Sequence, residues 1–382
     1  MQRLPGLDLM RAIAIIWVML FHALMAGLQL PGETIARFGW MGVDLFFALS
    51  GFLIGGQLFE QIKDHGRVDF QQFYIRRAYR ILPAFGVVVA CYFALPMIRE
   101  YPTIQPWWQF LTFTENLLID YSQPRAFSHV WSLCVEEHFY LIMPALAWLL
   151  APRATISRIT SLAVALAAAG MLWRWHVWQH DLLPIQSIEE GPGNFYQRYI
   201  EQIYYPTYTR LDGLLAGVMF AALRVFRPVW WQRIMARANW VLGAGLLLVS
   251  GAIWIFQNRF ALPAAVLGYP LLSLGMGVLV VAAASRQSLI GARGIPGVAW
   301  VAALSYSLYL THKVVFHLVK QAWGAQLVGQ PALAYLVYGG AAMLGGLILY
   351  WAVERPALQW RERWLHPAKP SPDLAEMGAV TR

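Results

Sequence analysis

Arg11 and His22 share one apolar run, LDLMRAIAIIWVMLFHALMAGL, at 7–28. Eleven residues make close to three whole helical turns and about 16 Å of rise, so in a helix both side chains face one side at two depths. A guanidinium binds anions, and an imidazole moves protons or takes up an acyl group near neutral pH. Ionisable groups inside a run long enough to cross a bilayer are candidates for function. The plainer alternative is that Arg11 snorkels to the inner interface and His22 sits at the outer one.

Other polar residues fall into blocks. In WMGVDLFFALSGFLIGG, Asp44 lies near the outer end of a second span and could fix the tautomer of His22; alternatively it is a helix N-terminal charge favoured by the macrodipole. In FQQFYIRRAYRILP, read as an inner loop, Arg77 and Arg80 share a helical face with Phe73 and Tyr74 and make a fork suited to phosphate oxygens or to lipid headgroups. FSHVWSLCVEEHFYLIMP places Glu136 in an apolar wall, where a carboxyl suits proton transfer. LSYSLYLTHKVVFH aligns Ser305, Tyr309 and His312, with Tyr306 alongside, as donors to an acceptor or as bridges between helices. Arg210, Asp212 and Glu354 stand at span ends and read as structural pairs. His129, Glu136 and His138 show no recognised zinc spacing, so no metal is expected.

These residues need a membrane scaffold to position them. The chain is 59% hydrophobic and only 13% charged, with 18 Trp, a composition that fits a multi-pass membrane protein better than a water-soluble one. About ten candidate spans follow, at 7–28, 40–60, 82–98, 131–150, 159–178, 207–223, 239–256, 264–284, 299–319 and 332–353. Lys and Arg concentrate in 61–81, 152–158, 224–238, 285–298 and 354–382, which puts both termini in the cytoplasm. The net charge of +9 is therefore a membrane signature, and no nucleic-acid partner is expected. Cys91 and Cys134 lie in apolar segments and read as small hydrophobes. The expectation is an all-α polytopic bundle at 1–356 with a polar, disordered tail at 357–382.

In order along the chain, these blocks resemble the acyltransferase-3 family of integral membrane O-acyltransferases. LDLMRAIAIIWVMLFH is similar to that family's Arg-ten-residues-His motif. GVDLFFALSGFLI, the Arg-x-x-Arg of Arg77 and Arg80, WSLCVEEHFY, RLDGLLAG, SYSLYLTH and VERP follow in the family's order. The resemblance implies transfer of an acyl group, usually acetyl from acetyl-CoA, to a hydroxyl of an extracytoplasmic carbohydrate or glycoconjugate at the bacterial inner membrane. It gives functional weight to Arg11, His22, Asp44, Arg77, Arg80 and Glu136. Thr311 departs from the pattern, standing where an aromatic residue often precedes the final His. No esterase-like domain follows the last span, so the stand-alone form is expected.

Spacing and resemblance together suggest a mechanism. Acyl-CoA, a co-substrate rather than a cofactor, docks its phosphates on Arg77 and Arg80, with Arg11 at the mouth. His22 acts as base or transient acyl carrier, oriented by Glu136 or, as second choice, Asp44. Ser305, Tyr306, Tyr309 and His312 serve the acceptor or support the site. The competing reading, a transporter or flippase of a polar or lipid-linked solute, draws on the same buried charges. Oligomeric state is not legible.

Overall fold

The computed structural model describes residues 4–28, 33–188, 190–191 and 193–365. Among them the chain is helical, with one isolated bridge between Ile104 and Ala126 and no strand. The main helices are α1 (Pro5–Met25), α2 (Gly42–His65), α3 (Phe70–Ala94), α4 (Trp131–Leu150), α5 (Ile156–Val177) and α6 (Asp212–Phe226). After them come α7 (Pro228–Ala236), α8 (Ala238–Ile255), α9 (Tyr269–Ala283), α10 (Val298–Leu327), α11 (Pro331–Leu349) and α12 (Arg355–Leu365).

Eight helical stretches of the described residues are long and apolar enough to cross a membrane, or nine if α6 and α7, bent by 109°, count as one. The remaining expected span is α10. Its 30 residues suffice in length, but Tyr306, His312 and Lys313 make it more polar than the others. Large apolar side chains such as Trp240, Leu247 and Leu336 point outward, as lipid-facing surfaces require.

α2 is the central post: 78% of its apolar window is buried, against 17% for α5. Its crossing with α6 is close because of two glycines. A Cβ on Gly51 would lie 2.0 Å from the Leu214 carbonyl oxygen, and one on Gly217 would lie 2.3 Å from that of Ala48. Small residues that let backbones touch are the usual device for packing helices in lipid. Gly339 and Gly340, by contrast, face open space.

Two boundaries differ from the sequence reading. The helix read at 70–81 within an inner loop is continuous with the span expected at 82–98. Asp69 caps α3 by accepting from the Gln72 N–H at 2.9 Å, and the helix runs through Pro83 to Ala94. Proline there removes one backbone bond without ending the helix, so Arg77 and Arg80 sit on a spanning element. At the other end, α12 makes 357–365 helical rather than disordered; residues 366–382 lie outside the described residues.

Candidate active site

Two cavities lie along α1, α4 and α10. The first, of about 520 Å³, is lined by Arg11 from α1, Ser50 from α2, Arg76, Arg77 and Arg80 from α3, Glu136, Glu137 and Tyr140 from α4, and Ser305, Tyr306 and Tyr309 from α10. Its arginines differ in their partners. Arg11 pairs with Asp8 at 3.4 Å. Arg80 pairs with Glu354, which also accepts from the Ser307 hydroxyl at 2.6 Å. Arg76 and Arg77 have no carboxylate partner among the described residues, and each keeps a buried Nε without a hydrogen bond. Arg77 lies over the Tyr140 ring, 5.6 Å from its centroid. The fork expected of Arg77 and Arg80 is therefore divided: Arg80 is neutralised, and the adjacent pair Arg76 and Arg77 carries the spare charge.

The second cavity, of about 280 Å³, starts further along α1. Its lining includes His22, His129, Trp131 and Lys313, with tyrosines from the loops between helices, among them Tyr121, Tyr204 and Tyr205. His22 Nδ1 lies 2.7 Å from His312 Nε2, and His312 Nδ1 lies 3.0 Å from the Leu308 carbonyl oxygen. A carbonyl only accepts, so His312 carries its proton on Nδ1. Its Nε2 then accepts from His22 Nδ1, and His22 is left with a lone pair on Nε2. His129 stands beside them, its ring 5.9 Å from His22 and 5.1 Å from His312. It donates from Nε2 to the Tyr309 carbonyl at 3.0 Å, and its Nδ1 is buried without a partner.

The cavities lie back to back. The Tyr309 hydroxyl, whose residue lines the first, donates to the His129 carbonyl and accepts from Ser132, both at 2.6 Å. Tyr309, Ser132 and His129 thus form the septum.

Several sequence expectations are corrected by this geometry. His312, not Glu136 or Asp44, holds the His22 imidazole. Glu136 belongs to the arginine cavity, where it accepts from Ser50 at 3.1 Å and from Tyr140 at 2.8 Å. Asp44 is buried against Arg210 at 2.8 Å, because its turn of α2 faces the start of α6. Arg210 in turn stacks on Tyr269, Tyr204 and Trp131, so the pair props the aromatic wall of the histidine cavity. The readings of Arg210, Asp212 and Glu354 as structural pairs agree with the ion pairs Arg210–Asp44, Arg174–Asp212 and Arg80–Glu354. Ser305 and Tyr306 line the arginine cavity and bond to the carbonyls of Ala302 and Ile81, so only His312 of the expected acceptor group stands beside His22. His129, Glu136 and His138 do not converge; His138 bonds to Thr207 at 2.7 Å.

Four residues of these cavities escaped the sequence reading as site residues: Arg76, His129, Arg259 and Lys313. Arg76 and His129 stand inside blocks already singled out, whereas nothing local marks Arg259. Outside the helices, the loop carboxyls diverge. Burial pushes Glu100 up, but Lys313 at 3.1 Å and backbone N–H groups more than offset it, so its carboxyl titrates below its ordinary value. Glu115, wholly buried with both oxygens unbonded, is pushed well above its ordinary value by burial, which Lys313 only partly opposes.

The geometry can be set beside known proteins. The family described as an acyltransferase domain, acyltransferase-3, matches residues 4–351. The chain belongs to this family. Its many apolar helices are those of a multi-pass membrane protein. It is 26% identical over 332 residues to the peptidoglycan O-acetyltransferase OatA of Listeria monocytogenes, covering 81% of this chain and 48% of that one. It is 24% identical over 356 residues to the putative peptidoglycan O-acetyltransferase YrhL of Bacillus subtilis, covering 87% and 51%. A putative O-acetyltransferase of Staphylococcus aureus is 25% identical over 400 residues, covering 96% and 60%. The chain thus spans about half the length of the first two relatives. No solved structure matches it.

Proposed function

We propose that this acyltransferase moves an acetyl group from cytoplasmic acyl-CoA, held in the arginine cavity, to a hydroxyl of an extracytoplasmic carbohydrate in the histidine cavity. The observation that carries the reading is the hydrogen-bonded run from the Leu308 carbonyl through His312 to His22, which leaves His22 Nε2 as a bare base. Hydrogen-bonding one imidazole nitrogen fixes the tautomer and makes the other more basic. The acceptor hydroxyl gives its proton to Nε2 as its oxygen attacks the thioester carbonyl. The C–S bond breaks, and the proton leaves with the CoA thiolate. The same lone pair is also placed to take up the acyl group first. Arg76 and Arg77, unpaired and half-buried, suit the diphosphate of CoA, and the distance along α1 from Arg11 to His22 suits a long pantetheine arm.

The side assignment follows the concentration of Lys and Arg at the arginine end, and the host membrane is the bacterial inner membrane. Two relatives carry peptidoglycan in their names, so a cell-wall glycan is the acceptor to try first. The family favours acyl transfer over the transporter reading. Mass analysis of cell-wall and surface glycans from cells with and without the protein tests the proposal. A one-acetyl increment that depends on the protein is expected; identical glycan profiles overturn it.

A further inference from the structure

The charge balance of the histidine cavity points beyond the transfer step. Its lining holds one carboxylate, Glu100, and that group is committed to Lys313 at 3.1 Å. Lys320 is exposed to solvent and donates to the Ala26 carbonyl at 2.8 Å. Arg259 is left over. Its guanidinium is stacked against Trp40 and Tyr204, with 4.4 and 4.5 Å to the ring centroids, and it has no ion pair and no side-chain hydrogen bond among the described residues; its Nε is buried and unbonded. Asp44 is engaged by Arg210 through Oδ1. Aromatic stacking holds such a guanidinium flat and leaves its donor edge free for an oxyanion. The same cavity is lined by Tyr101, Tyr121 and Tyr196, aromatic side chains of the kind a sugar ring packs against.

We infer that the histidine cavity selects an acceptor carrying an anionic group, a carboxylate or phosphate on the saccharide near the acylated hydroxyl, and that Arg259 binds this group. The inference rests on the reading of this cavity as the acceptor site. It makes the acceptor an acidic or phosphorylated sugar rather than a neutral one, and it makes Arg259 a specificity residue rather than a strut between aromatic rings.

The test uses the full chain purified in neutral detergent, with thermal melting as the binding readout. The probes are a glucuronate-containing disaccharide, its carboxyl-reduced counterpart, glucose 1-phosphate and glucose. Stabilisation by either anionic probe, absent with its neutral partner, is expected; which anion acts tells carboxylate from phosphate. Arg259→Gln weakens that binding about tenfold or more, as loss of a charge-assisted contact does, while Arg259→Lys keeps part of it. Equal shifts from charged and neutral probes, no shift from either anion, or undiminished binding in Arg259→Gln overturns the inference. Acetyl-CoA consumption is followed in the same samples: if wild type consumes thioester and His22→Ala does not, the transfer reading survives even where the anion preference fails.

Discussion

The two cavities share α1, α4 and α10 but are built from opposite materials. The arginine cavity sets four arginines beside Glu60, Glu136 and Glu137, and two of the arginines, Arg76 and Arg77, lack a carboxylate partner among the described residues. At His22 itself the ring is instead fixed by a directed hydrogen-bonded run through His312, with three imidazole rings within 6 Å of one another. Unpaired cations waiting on one side suit a polyanion that arrives and leaves. A fixed tautomer on the other suits a proton that must move in one direction. On the proposed function, the difference separates binding from chemistry along one helix, with Tyr309 and His129 between them.

That contrast can be broken most severely at His22. His22→Ala is expected to lower transfer by about two to four orders of magnitude, the usual worth of a general base, with the protein still in the membrane; rates in purified protein check it. His312→Gln should cost less, about 10–100-fold, and move the pH–rate profile, since His312 acts by positioning His22. A loss of rate with the profile unmoved would make His312 merely structural. On the other side, Arg77→Ala should raise KM for acyl-CoA about tenfold and leave the acceptor KM unchanged. Arg80→Ala sharpens the comparison, because it strands Glu354. Its main effect should be on the melting temperature, somewhat below the about 3–5 kcal/mol of a fully buried pair, as Arg80 is 31% exposed.

The smallest effect concerns Glu100. Its folded carboxyl titrates below the unfolded value. The stabilisation from its pairing with Lys313 is therefore present above the ordinary carboxylate range of about 4.3 and is lost as pH falls through the folded value. Melting curves of wild type and Glu100→Gln should differ near neutrality and converge in acid.

Local periodicity made part of this legible. Arg11 and His22, read as one stripe, do reach two cavities along one helix, because helix geometry fixes their relation without reference to the rest of the fold. The helix that carries Arg77 and Arg80 was legible for the same reason, although Pro83 looked like the start of a separate span. Partner choice was not legible. His312 lies 290 residues from His22, and nothing in the composition of α1 tells it from Glu136 or Asp44 as a partner. Asp44 looked like a partner of His22 because its depth was right, but depth says nothing about which side of α2 faces α6. Arg259 escaped because its meaning comes from what does not pair with it, and that emerges only when the helices are assembled.

Nitrogen-resolved NMR of the full chain in detergent, labelled at histidine and assigned by His22→Ala, reports the protonation of each His22 ring nitrogen. A proton on Nδ1, shared with His312, and a bare Nε2 are expected. A His22 protonated on Nε2, with Nδ1 as the acceptor, would leave no base facing the cavity and would contradict the proposed mechanism.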